Sequence, residues 1–167
     1  MFVTLEGFSQ LWKHETVETQ KVLDQLTDAS LHQEIAPGHW TLGRIAWHIV
    51  TAVKVIGSQT GLSFDSPEKD FPVPDSAKYI ADSYRKTSEA FLHAVETQWS
   101  NQKLQEVHNI FGQNMTNGIL LTFVIQHQIH HRGQMTVLMR QAGLTVPGVY
   151  GPSKEEWAKI GMEAPKM

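Results

Sequence analysis

The stretch from about Thr116 to Ala142 constrains this chain most. Leu120, Leu121, Phe123, Val124, Ile129, Val137 and Leu138 recur there at helical spacing and predict one long buried helix. Gly143 follows in the position that takes a left-handed C-cap. Inside the run, His127 and His131 stand four residues apart, which is about one helical turn, so both imidazoles leave the same face. Leu120, Phe123, Val124, Gln134 and Leu138 share that face.

Two imidazoles on one turn are half of a metal site. With nine histidines in 167 residues such pairs also arise by chance, and a hydrogen-bonded core histidine is the ordinary alternative. Placement strengthens the metal reading, because a polar ring on an apolar stripe needs a partner, and leaves both alternatives open. The best candidate for a third ligand is His48, in Gly43-Arg-Ile-Ala-Trp-His-Ile-Val50, mid-helix among apolar neighbours. Arg44, one turn ahead of His48, could hold an anionic substrate group or form a structural salt bridge. Gln134, one turn beyond His131, could orient a ligand or a bound water, or be a buried amide bonded to a neighbouring helix. Metal affinity on such ligands should weaken as the pH falls below the ~6.5 reference pKa of histidine.

Three further helices are predicted. The first runs from Phe2 to about Leu26. The second runs from about Thr41, a good N-cap, to near Gln59, with His48 on its core-facing side. The third is capped by Asp75 or Ser76 and runs to about Trp99. Between the second and third, Thr60 to Pro74 is the longest irregular stretch, as expected of a crossover from end to end of a bundle. Gln102 to Gly112 is too short and uneven to assign and could be extended. A Pro/Gly turn from Val146 leads to a short C-terminal helix capped by Ser153, with Glu156 in the capping-box position. His14, His32 and His93 read as surface residues. His39 sits in a loop close to the second helix, His130 flanks the histidine face as a lesser candidate, and His108 carries no assignment.

Bulk properties bound the function. The length suits a single domain over residues 1–167 with a full core. At 41% hydrophobic and 19% charged residues, with a formal net charge of −3, nothing marks a nucleic-acid binder. No apolar run approaches the ~20 residues of a membrane span and no signal peptide is evident, so a cytoplasmic location is expected. The chain has no cysteine, so a metal must be held by imidazole and oxygen, and neither a disulfide nor a cysteine nucleophile is available.

Trp40-Thr-Leu-Gly-Arg-Ile-Ala-Trp-His48, then His127-Gln-Ile-His-His131-Arg-Gly-Gln134, then the closing Tyr150-Gly-Pro-Ser-Lys-Glu-Glu-Trp157 resemble the DinB/YfiT-like family over the whole chain. That resemblance implies an all-α four-helix bundle in up-down-down-up order, usually a homodimer, with a divalent metal on His48, His127 and His131 in a pocket between helices. Some relatives are thiol transferases using a low-molecular-weight thiol such as bacillithiol, others isomerases using mycothiol.

Three neutral imidazoles leave a coordination position of a zinc-like ion open, as catalytic sites do. Such an ion can activate water for hydrolysis or deprotonate a bound thiol for transfer to an electrophile. No carboxylate base accompanies the histidine pair, which favours a nucleophile that the metal itself activates. The expectation is therefore a metal-dependent enzyme acting on a small molecule, first a thiol S-transferase, with a metal-dependent hydrolase or a non-catalytic metal- or ligand-binding bundle as alternatives. Zinc or nickel comes first as the ion, then iron or manganese. Arg44 and Gln134 are the candidate catalytic residues, and neither nucleic acid nor membrane is expected as a partner.

Overall fold

The structure, a computed structural model, describes residues 1–110 and 112–166. Among these, four α-helices carry the fold: α1 (Leu5–Leu23), α2 (Leu42–Gly57), α3 (Ala77–Gln98) and α4 (Asn117–Gln141). Each starts on a hydroxyl that satisfies a free amide of the first turn: Thr4 takes the amide of Gly7, Thr41 that of Arg44, Ser76 that of Tyr79 and Thr116 that of Ile119. After α4, Gly143 adopts φ 74°, the left-handed conformation that lets a helix close its last carbonyls.

Helix directions follow from which residues meet. Trp12 Nε1 donates to Ser88 O and Gln20 Nε2 to Ala81 O, so α1 and α3 are antiparallel. Phe2 N donates to Gly118 O and Arg132 to Glu15, so α1 and α4 are parallel. The approach at Gly118 is close enough that a Cβ there would stand 2.2 Å from Phe2 O. Trp47 packs on Tyr79 and Gly57 against Phe91, which makes α2 and α3 parallel to one another. The order is up-down-down-up, and two parallel neighbours in sequence require the long crossover from residue 58 to residue 76.

The core lies in two continuous clusters. One, around Leu42, Ile49, Val50, Ile80, Tyr84, Met135 and Met139, fills one end of the bundle; the other, around Phe8, Trp12, Ile56, Phe91, Val95, Leu120 and Val124, fills the other end.

Three elements differ from the sequence reading. The stretch after α3 forms a 3-10 turn (Asn101–Gln105) and then a two-stranded antiparallel hairpin, β1 (Val107–Ile110) with β2 (Gln113–Thr116), pairing Val107 with Thr116 and Ile110 with Gln113. The C-terminal helix is only a 3-10 turn, Trp157–Ile160. Its expected cap is half formed: Glu156 accepts the amides of Ser153 and Gly148, whereas the Ser153 hydroxyl has no partner. Third, α4 is not buried all round. Its buried face centres on Leu121, Gln128, Arg132, Met135 and Met139, about 100° from His127 on the wheel. The histidines therefore stand at the edge of the buried face, where the groove between α2 and α4 opens.

Candidate metal centre

His48 projects from the middle of α2, and His127 and His131 from successive turns of α4, which runs antiparallel to it. One ligand atom from each of the three lies within 4.8 Å of the other two, a spacing that can hold one metal ion. His48 Nε2 stands 3.4 Å from His127 Nε2. All three side chains are half-buried.

The outer nitrogens decide which atoms face inward. His131 Nδ1 lies 2.8 Å from Gln134 Oε1, an oxygen that can only accept, so the proton is assigned to Nδ1 and the Nε2 lone pair turns to the cluster. His48 Nδ1 is buried and lacks a hydrogen-bond partner; Asp70 Oδ1 stands 3.5 Å from it, longer than a full hydrogen bond. A proton on this nitrogen again leaves Nε2 free.

The rings are also kept neutral. Burial pushes His127 down to about 4, helped by the neighbouring His131, His48 and His130. Burial likewise lowers His48, by more than Asp70 raises it, and lowers His131 by more than Gln134 raises it. Neutral ring nitrogens this close either share a proton, as His48 Nε2 and His127 Nε2 can at 3.4 Å, or turn their lone pairs to a cation, and that donor set suits a divalent ion.

Asp70 is the functional candidate that sequence reasoning missed. It lies in the crossover, far from the histidines in the chain and without periodicity to flag it. Local contacts bring it in: Trp47 Nε1 donates to Lys69 O at 3.0 Å, and Thr51 Oγ1 donates to Asp70 Oδ1 at 2.6 Å. Arg44 completes the clamp, with Nη1 3.0 Å from Oδ1 and Nη2 2.5 Å from Oδ2. Burial alone would raise the Asp70 carboxyl, but the bonds from Arg44 and Thr51 outweigh it and hold the group below its ordinary value. The Arg44 guanidinium also lies 4.4 Å from the centre of the Trp40 ring. The structure thus places Arg44 on Asp70 and Gln134 on His131, each one contact away from the histidine cluster.

Of the other histidines, His14, His32 and His93 are exposed. His130 is exposed on α4 with its ring 5.0 Å from that of His131, and His108 lies on the hairpin near Glu106. His39 lines a cavity of about 580 Å³ together with Trp40, Ile45, His131 and Gln134. A second cavity, of about 230 Å³, opens on His48 and His127 from the other direction along the groove. The three histidines separate the two spaces.

An up-down-down-up bundle with three histidines at one α2–α4 groove defines the class: a helical bundle with a candidate metal centre between its helices. The chain belongs to the DinB family, whose model matches residues 1–167. It is 62% identical over 167 residues to the uncharacterized protein YrdA of Bacillus subtilis (strain 168), spanning the whole of both chains. Its fold is similar to the crystal structure of a DinB-like protein from Bacillus cereus ATCC 10987, with a TM-score of 0.87 and 63% identity over 90% of this chain and 100% of that one. A DinB-like protein from Bacillus subtilis, YjoA, shares the fold at a TM-score of 0.67 and 19% identity, over 86% of this chain and 96% of that one.

Proposed function

We propose that the protein is a metal-dependent enzyme that joins a small thiol to an electrophile at His48, His127 and His131. One observation carries the reading. The histidine cluster stands between two cavities, one opening on His48 and His127 and the other on His131, so two reactants can approach the same centre from different sides. A hydrolase needs room for one organic substrate and a water, and is the second reading.

A divalent ion bound there, zinc or nickel first, would supply Lewis-acid activation of a thiol. The chain's own residues do the rest. Three neutral nitrogens hold the ion without cancelling its charge, and with no cysteine and no carboxylate among the three the nucleophile has to come from outside. Asp70 and Gln134 fix the two outer ring orientations. Arg44 acts on the site through Asp70, to which its guanidinium is committed. Trp40 and Phe123 flank the cluster and limit the water around it. Sulfur becomes bonded to the electrophilic carbon as the bond from that carbon to its leaving group breaks; the leaving group departs with the electron pair, and the thiol proton passes to solvent.

The test supplies metal-loaded protein with bacillithiol or a simpler thiol and an electrophilic acceptor, and follows conjugate formation beside the His131→Ala variant. A rate lost in the variant supports transfer. Equal rates would end the transferase reading, and rapid ester or amide hydrolysis without thiol would replace it with the hydrolase. A cytoplasmic homodimer completes the proposal. Among the described residues no helix is long and apolar enough to cross a membrane.

A further inference from the structure

We infer that the cavity of about 230 Å³ beside His48 and His127 is a chamber for an uncharged apolar group of the substrate, the size of a single aromatic ring or a short branched chain. Its role in turnover rests on the metal-centre reading above, whereas its occupancy does not.

Size sets the first limit. An apolar cavity of about 150 Å³ is enough to take benzene, so about 230 Å³ leaves room for one substituted ring and not for a fused pair plus a polar chain. The walls set the second. Ala52, Val55 and Ile56 come from one side of α2 and Phe123 from the facing turn of α4, so aliphatic and aromatic carbon makes most of the surface. Ala52 and Ile56 are buried at its floor and Val55 is exposed at its mouth. The Thr51 hydroxyl that reaches the wall is already donated to Asp70.

Charge sets the third limit. Asp70 is the charged residue among the described lining residues, and both of its oxygens are held by Arg44, so the pair presents no net charge to the chamber. Lys54, on the same helix, donates its ammonium to Phe64 O at 2.7 Å. An anionic group entering would lose hydration and meet no free cation, which is costly, whereas an apolar group gains from leaving water. The histidines close one end of the space, so a group seated here hands its polar end to them.

Benzamide and benzoate test this directly, being equal in size and shape and different in charge. Each is titrated into the full chain, as purified and after removal of metal by a chelator, while the methyl signals of Val55 and Ile56 are followed by NMR. Benzamide is expected to shift those signals saturably in both preparations, and benzoate to bind the metal-free protein at least tenfold more weakly. Ala52→Leu, which fills the floor, should weaken benzamide at least tenfold. Val55→Phe at the exposed mouth should do the same without touching the core, and serves if the first variant does not fold. Unmoved methyl signals, benzoate binding to metal-free protein as tightly as benzamide, or undiminished benzamide binding in the folded variants would each overturn the inference. Metal content is measured separately on the same samples. Protein that takes up no zinc or nickel when supplied with it, yet still binds benzamide, would refute the metal centre and leave the chamber standing.

Discussion

Asp70 Oδ1 lies 3.5 Å from His48 Nδ1, and the same oxygen accepts hydrogen bonds from Thr51 at 2.6 Å and Arg44 at 3.0 Å. The carboxylate is therefore fixed before any ion arrives, and it stands on the Nδ1 side of His48, where a proton on Nδ1 would face it and leave Nε2 free. Partners of this kind, standing behind a metal-binding imidazole, are worth about 10–100-fold in metal affinity. Asp70→Asn keeps the shape and removes the charge, so it should weaken metal binding about tenfold while leaving the helical content unchanged. Competition with a chromogenic chelator measures it, and unchanged affinity in a folded variant would show that the 3.5 Å contact does not orient the ring.

Replacing His48, His127 or His131 by alanine should each abolish stoichiometric metal, because two imidazoles hold a divalent ion poorly. His14 and His93, both exposed, serve as controls and their replacement should change nothing. Elemental analysis of the purified variants decides. Full metal content in the triple-alanine protein, still folded, would place the ion elsewhere.

The pH dependence follows from the neutral rings. Histidine in the unfolded chain protonates near pH 6.5, whereas His127 in the folded protein does so only at about 4. Between these values the unfolded state binds more protons than the folded one, so the stability of the metal-free protein should fall as the pH drops from 6.5 towards 4; the histidine contribution ends there, while the lowered carboxyls of Asp70 and Glu155 continue the loss at lower pH. His48 and His131 are lowered as well and add to the same trend. Metal is affected lower on the pH scale than the unperturbed value suggests, because in the folded protein protons do not compete strongly for His127 until the pH approaches 4. Thermal melts of chelator-treated protein from pH 4 to 8 check the first point and metal retention over the same range the second. Flat stability from pH 6.5 to 4.5 would mean that the rings are not held neutral.

The histidine cluster was legible because helical spacing is local: four residues make about one turn, and His48 stood on a second apolar helix. The bundle was legible for the same reason, down to Thr41 as a cap and Ser76 as one of two candidates for another; the cap that Thr116 forms was not read. What could not be read came from contacts between distant segments. Asp70 is one such residue in a loop, and its value depends on Arg44, Thr51 and Trp47 folding the crossover onto α2. Arg44 read as a free cation or a salt bridge, and only the folded chain supplies Asp70 as its partner. The orientation of α4 is another case. Gln128 and Arg132 look polar and solvent-facing in sequence, and only their partners on other helices allow them into the core. The hairpin was hidden because its residues, Val107–Ile110 and Gln113–Thr116, make too short a pattern to distinguish strand from loop.

A homodimer should scatter light as about twice the monomer mass of 18.9 kDa at micromolar concentration. A mass at the monomer value would remove the dimer from the proposal without touching the candidate metal centre, whose three histidines come from one chain.

Arg132 is almost fully buried at the centre of α4 and meets an equally buried Glu15 on α1, with Nη2 2.9 Å from Oε2. The pair is satisfied on all sides: Arg132 Nη1 also donates to Thr19 Oγ1 at 3.0 Å and to Glu15 O at 3.2 Å, and the Tyr150 hydroxyl accepts from Arg132 Nη2 at 2.7 Å and donates to Glu15. Three segments of the chain are tied at this point, α1, α4 and the C-terminal tail. Removing one member leaves a buried, unpaired charge, which costs about 3–5 kcal/mol, or roughly 6–20 °C in Tm for a domain of this length. Arg132→Met should show that loss in a chelator-treated sample, where metal binding does not contribute to the melt. Adding Glu15→Gln should restore much of it, because the double variant buries no charge, and the recovery separates the ion pair from simple loss of packing. A double variant no more stable than Arg132→Met alone would assign the effect to packing and refute the charge argument.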